Sequence, residues 1–130
     1  MFQLTDIKLA HSKVKSGADF PLYFKDLIAL GVKKYDTFVE DGHTLYFGDN
    51  DYKLQSESKY SHLPVADISD SEKFTQYLRA HQQGQTDYPT FCNHAAETGV
   101  EKWIVDMNHM TCTYYNKAGK KMLEEKIPSA

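Results

Sequence analysis

Two thiols and two imidazoles stand close together in the second half of the chain, as Cys92-x-His94 and His109-x-x-Cys112. Sulfur and imidazole nitrogen are a donor set suited to zinc. The spacing argues against a metal centre, because residues two apart on a helix lie about 200° round its axis and do not converge on one ion. C-x-H is also not a usual zinc spacing. We expect Cys92 to follow Phe91 on an apolar stripe as a small core residue, Cys112 to alternate in a strand, and the protein to use neither metal nor another cofactor. A second constellation is Glu40-Asp41-Gly42-His43-Thr44, with Asn108-His109-Met110-Thr111 as its counterpart. A histidine beside carboxylates can act as a general base, and two such hairpins could face one another across a groove. Asp41-Gly42 is equally good turn chemistry. No phosphate-cradling loop or nucleophile elbow accompanies either hairpin, so no catalytic residue is assigned.

These residues must be positioned by elements that the chain spells twice. Asp19-Phe20-Pro21 recurs as Asp87-Tyr88-Pro89, Gly31-Val32 as Gly99-Val100, and Tyr35, Val39 and Tyr46 as Trp103, Met107 and Tyr114, all 68 residues apart. In the first copy, Thr5 is the expected N-cap of a helix carrying Ile7, Ala10, His11 and Val14, stopped by Ser16-Gly17. Asp19 is expected to cap a second helix, with Pro21 in its first turn and Gly31 at its end. A period of two then predicts strands at 32–40, 44–47 and 52–54. After a polar connection, with a short edge strand possible at 63–66, the second copy begins near Ser69 to Ser71. It places Phe74, Tyr77, Leu78 and His81 where the first helix has Ile7, Ala10, His11 and Val14. Asp87 caps its next helix, and strands follow at 100–107, 111–115 and 122–127.

Two helix-helix-strand-strand-strand units imply an α+β domain: one mainly antiparallel sheet of five to six strands, helices on one face, residues 1–66 and 67–130 sharing one core. Tyr35, Thr37, Val39, Trp103, Val105 and Met107 are assigned to the helix side; Phe38, Ile104, Tyr46 and Tyr114 fall on other faces or at the hairpins. His11 and His81 lie on apolar helix faces and read as hydrogen-bonded core histidines.

Composition narrows the partners. A formal charge of −3, with 18 acidic and 15 basic residues well mixed, gives no basic field for nucleic acid. Residues 1–15 carry charge and no apolar run, which predicts neither a signal peptide nor a membrane span and places the protein in the cytoplasm, with its two cysteines as free thiols. One Trp, nine Tyr and seven Phe are enough to line a groove as well as a core.

The run His11-Ser12-Lys13-Val14-Lys15-Ser16-Gly17-Ala18-Asp19-Phe20-Pro21, with Gly84-Gln85-Thr86-Asp87-Tyr88, Gly99-Val100-Glu101-Lys102-Trp103 and Met110-Thr111-Cys112-Thr113-Tyr114-Tyr115, resembles the YbcV/YdfO-like family of enterobacterial prophage proteins. The resemblance implies an α+β domain, residence in the bacterial cytoplasm and an origin in mobile DNA. It brings no catalytic residues, and the label "phage envelope protein" that travels with the family names no mechanism. The reading is a non-enzymatic binding module that uses an aromatic cleft between the repeats to hold a protein partner or small ligand, as a monomer or weak homodimer. Phe38, His43, Tyr46, Ile104, His109 and Tyr114 are the candidate binding residues. One alternative is an enzyme using His43 or His109 with Asp41, Asp36 or Asp106. Another is an oligomeric phage-related structural protein.

Overall fold

The computed structural model describes residues 2–14 and 19–127. Helix α1 (Leu4–His11) begins one residue before the expected cap, because the Asp6 carboxylate reaches back to accept the Gln3 N–H at 2.8 Å and makes Gln3 the boundary. The expected stop at Ser16-Gly17 lies outside the described residues. Helix α2 (Phe20–Leu30) carries Pro21 in its first turn, buries Tyr23, Phe24 and Leu27, and ends on Gly31 in the left-handed region. Helix α3 (Ser71–Gln82) is capped by Asp70, whose carboxylate accepts the Lys73 N–H, and α4 (Tyr88–Glu97) by Asp87, which accepts the Thr90 N–H at 2.9 Å. Asp19 precedes α2 but makes no such cap bond.

The strands are β1 (Lys34–Phe38), β2 (Thr44–Phe47), β3 (Lys53–Gln55), β4 (Val100–Asp106), β5 (Thr111–Asn116) and β6 (Lys121–Lys126). They form one six-stranded antiparallel sheet in the order β3-β2-β1-β4-β5-β6. Two three-stranded meanders, each preceded by a helix pair, thus meet along β1 and β4. Residues 63–66 form no strand; they run alongside the neighbouring elements, with Leu63 N–H donating to the Glu40 carbonyl and Ala66 N–H to the Ala96 carbonyl.

Register decides which side chains meet the helices. Tyr35 pairs with Tyr46 and with Val105, and Trp103 pairs with Thr37 and with Tyr114, so all of these point to one face. That corrects the placement of Tyr46 and Tyr114, which are buried on the helix side beside Tyr35 and Trp103. The hairpin connections make the phase: five residues separate β1 from β2, and the alternation of β1 does not carry through them. Phe38 and Ile104 do occupy the opposite face, where Phe38 pairs with Lys102 and Ile104 with Asp36. The core centres on Phe74 and Leu27, both fully buried; Phe74 packs its ring against Phe91 and Tyr114.

Candidate functional site

The inner face of the sheet is not filled by the helices. Between the α1/α2 pair and the α3/α4 pair lies a cleft of about 860 Å³. Its floor is Tyr35 and Thr37 of β1, Thr44 and Tyr46 of β2, Trp103 of β4, and Cys112 and Tyr114 of β5. One wall is Ile7, Lys8, His11 and Tyr23; the other is Leu78, His81, Tyr88 and Phe91. The rim is closed by 56–59 on one side and 125–127 on the other. The alternation of the strands produces the floor, since each strand sends every second side chain inward. The helical spacing of Ile7 and His11, and of Leu78 and His81, produces the walls.

The tyrosine hydroxyls and the cysteine thiol inside this cleft are held neutral. Burial, then the neighbouring Tyr46, pushes the Tyr23 hydroxyl far above the tyrosine range; burial does the same to Tyr35 and Tyr114. Burial pushes the Cys112 thiol up to about 12, so at neutral pH it is a thiol and a poor nucleophile. His81 is lowered, chiefly by burial, although its contact with Thr86 works the other way. Its Nδ1 lies 3.1 Å from both the Thr86 carbonyl and the Thr86 hydroxyl, and its ring stacks on Phe91. His81 is therefore hydrogen-bonded as expected, but it is half-buried on the cleft wall and not a core residue. His11 is not a core residue either: it stands exposed at the mouth, with Tyr23 and Tyr88 edge-on to its ring. Tyr35 is 5% exposed and its hydroxyl has no hydrogen-bond partner among the described residues.

The six candidate binding residues do not share one surface. Tyr46 and Tyr114 lie on the cleft floor, Phe38 and Ile104 on the outer face, and His43 and His109 at hairpin ends. Antiparallel pairing of β1 with β4 sets Phe38 opposite Lys102 and Lys34 opposite Asp106, which sends the two hairpins to opposite ends of the sheet. They do not face one another across a groove. Each hairpin nevertheless builds its own Asp–His pair. His43 Nδ1 is 2.6 Å from Asp41 Oδ1, the Ser58 hydroxyl donates to Asp41 Oδ2 at 2.7 Å, and the imidazole stacks on Phe38. His109 Nδ1 is 2.9 Å from Asp106 Oδ2 in a more exposed setting. Asp36 is buried on the outer face, with Lys34 Nζ 3.7 Å from Oδ1.

The sulfur–imidazole set does not assemble. Cys92 is buried beside the Tyr60 and Tyr88 hydroxyls, His94 stacks on Tyr77 at 3.7 Å, His109 is exposed, and Cys112 lies on the cleft floor. Among the described residues no group of three or more His, Cys, Asp or Glu is placed to hold a metal ion. Sequence reasoning missed Lys8, Lys59, Tyr23, Tyr88 and Cys112 as cleft residues. Tyr23 and Tyr88 had a signal, as aromatics in the recurring helix word; Lys59 had none, because only the return of 56–60 along the first hairpin, with Lys59 N–H donating to the Asp41 carbonyl, brings it there.

Fold and cleft together define an α+β protein with a ligand-sized chamber between two helix pairs and a single sheet. The chain belongs to the family described as "Protein of unknown function (DUF1398)", whose model matches residues 8–126. A 47-residue stretch is 38% identical to a protein of Mycobacterium tuberculosis named "Uncharacterized protein Rv2012", and to one of Mycobacterium bovis named "Uncharacterized protein Mb2035". That stretch covers 36% of this chain and only 29% of each relative's length. Among the described residues no helix is long and apolar enough to cross a membrane.

Proposed function

We propose that this protein is a non-enzymatic binding module whose ligand is a small organic molecule held in the cleft between the helix pairs. The observation that carries the reading is the cleft itself: about 860 Å³, floored by Tyr35, Tyr46, Trp103 and Tyr114. Ligand chambers have volumes of roughly 300–1,000 Å³ and combine apolar walls with a few polar groups. The chemistry of the lining supports binding over catalysis, since Cys112 is a protonated thiol and the tyrosines are neutral hydroxyls. Both Asp–His pairs belong to hairpins at opposite ends of the sheet. The Ser58 hydroxyl donates to Asp41 and not to His43, which is not the arrangement of an activated serine. The mirrored strand order supports an origin by internal duplication, and the sequence words quoted above support a prophage ancestry and cytoplasmic residence.

The test uses the only tryptophan of the chain, which sits on the cleft floor. Native and denaturing mass spectra of the protein as purified from cells should differ by an organic mass, and Trp103 emission should shift as that compound is removed and restored. A bare native mass, together with Trp103 emission unmoved by any member of a broad small-molecule library, would overturn the reading.

A further inference from the structure

One mouth of the cleft carries a concentration of basic groups. Lys8 and His11 project from α1 and Lys59 from the loop after β3, and all three line the opening. Neither lysine makes an ion pair among the described residues; the lysines that do are elsewhere, at Lys13, Lys33, Lys34, Lys117 and Lys121. Glu57 shares the rim but pairs with neither. The three feel one another: after desolvation, the charge of Lys8 lowers Lys59, and the charge of Lys59 lowers His11. Lys8 and His11 alone would be ordinary, since cations complement the carbonyl end of a helix. Lys59 is not explained that way, and its like-charge approach costs stability unless an anion sits among the three. The opposite rim carries a single lysine, Lys126, beside Glu125, whose carboxylate is held by Arg79 and Gln82 of α3, so basic groups do not gather there as they do at Lys8, His11 and Lys59.

We propose that the ligand is an organic monocarboxylate: a flat apolar body between the aromatic walls, its carboxylate at the mouth formed by Lys8, His11 and Lys59. The inference rests on the cleft being the ligand site. The body meets Tyr23 and Trp103, aromatic rings that favour an aromatic partner. On the floor, the Tyr35 hydroxyl, which bonds no other described residue, is a donor suited to a carbonyl or hydroxyl on that body. A phosphate ester fits less well, since the mouth offers no arginine fork to hold its oxygens in pairs.

The test is calorimetric titration of the purified protein with aryl acids and their neutral amides, 1-naphthylacetate against 1-naphthylacetamide and indole-3-acetate against indole-3-acetamide. The acids should bind at least tenfold more tightly than the amides. Lys59→Met and Lys8→Met, which keep the length of the side chain, should each weaken the acids about tenfold, the scale of a lost hydrogen bond to a charged group. The same variants should leave the amides unchanged, which also shows that they remain folded. Equal binding of acid and amide would overturn the anion assignment while leaving the cleft reading standing, as would an uncharged or cationic compound released from the purified protein. Failure of both acids and both amides to bind would overturn this inference, and the cleft reading is then judged by its own mass and fluorescence test.

Discussion

The two halves share an order of elements and differ in how firmly they are built. In the first, the strands run five, four and three residues and α1 buries only Ile7 and Ala10. In the second they run seven, six and six, α3, the counterpart of α1, buries the larger Phe74 and Leu78, and α4 buries Phe91, Cys92, Ala95 and Ala96 where its counterpart α2 buries Tyr23, Phe24 and Leu27. The small alanines let α4 lie close on the sheet, whereas α1 keeps Leu9 on the solvent side at 67% exposure. The first half thus supplies the lighter wall of the cleft, while both halves build its floor, Tyr35, Thr37, Thr44 and Tyr46 from one and Trp103, Cys112 and Tyr114 from the other. A binding chamber gains from this asymmetry, since the wall with less buried surface opens at lower cost.

The largest expected difference lies in the core. Phe74 and Ile7 occupy corresponding sequence positions, but Phe74 is fully buried against two aromatic rings while Ile7 borders the cleft. Phe74→Ala should cost about 3–5 kcal/mol and Ile7→Ala about 2 kcal/mol by urea denaturation, because a side chain beside existing space leaves less new void. Equal losses would mean that α1 is as firmly packed as α3.

The helix-ending glycines sharpen the comparison. Gly31 and Gly99 both have φ in the left-handed region, +99° and +87°. A Cβ on Gly31 would meet nothing within 4 Å, whereas one on Gly99 would stand 2.7 Å from the Ser69 Cα and 3.0 Å from the Ile68 carbonyl. The connection before α3 crosses the end of α4, with Asp70 N–H donating to the Thr98 carbonyl at 2.9 Å, so that backbone cannot step aside freely. Gly31→Ala should cost about 1 kcal/mol, the conformational term alone. Gly99→Ala should cost roughly 2–4 kcal/mol, adding the close-packing term. Thermal unfolding of the two variants side by side decides it, and equal shifts would show that only φ matters.

Much of this architecture was written in local signals. Gly31, Gly99 and Asp87 act through their own backbone neighbourhoods, so their roles could be read from residue type and position. The period of two likewise survives folding in 34–38 and in 102–106, although a register shift between Val100 and Lys102 interrupts it at the start of β4. What could not be read was which face of a second strand matches which face of the first. Both faces of β1 carry aromatic residues, Tyr35 inward and Phe38 outward, so hydrophobicity did not choose. Tyr46 and Tyr114 were misplaced for that reason. The cleft mouth was less legible still, because Lys8 and Lys59 are joined only by the path of the 56–60 loop, and no spacing in the chain encodes that path.

The hairpin pairs give the smallest expected contrast and the one with a pH signature. Burial works to raise the Asp41 carboxyl, but hydrogen bonds from the His43 N–H, the His43 ring and the Ser58 hydroxyl outweigh it and hold the group at about 2, below its ordinary 3.8. A carboxylate lowered on folding stabilises the native state above its unfolded value and loses that contribution as pH falls through the folded value. Asp41→Asn should therefore cost on the order of 1 kcal/mol near pH 6, after allowance for solvent screening, with the gap from the parent protein closing between about pH 4 and 2. Asp106 is lowered by the same kind of contacts, from His109 and the Asn108 N–H against the opposing effect of burial, but its histidine is 76% exposed. Asp106→Asn should accordingly cost only a few tenths of a kcal/mol, and added salt should erase it sooner. Urea midpoints of the parent and both variants across this pH range measure the difference. A gap for Asp41→Asn that stays constant down to pH 2 would mean that the turn depends on the shape of the side chain and not on its charge.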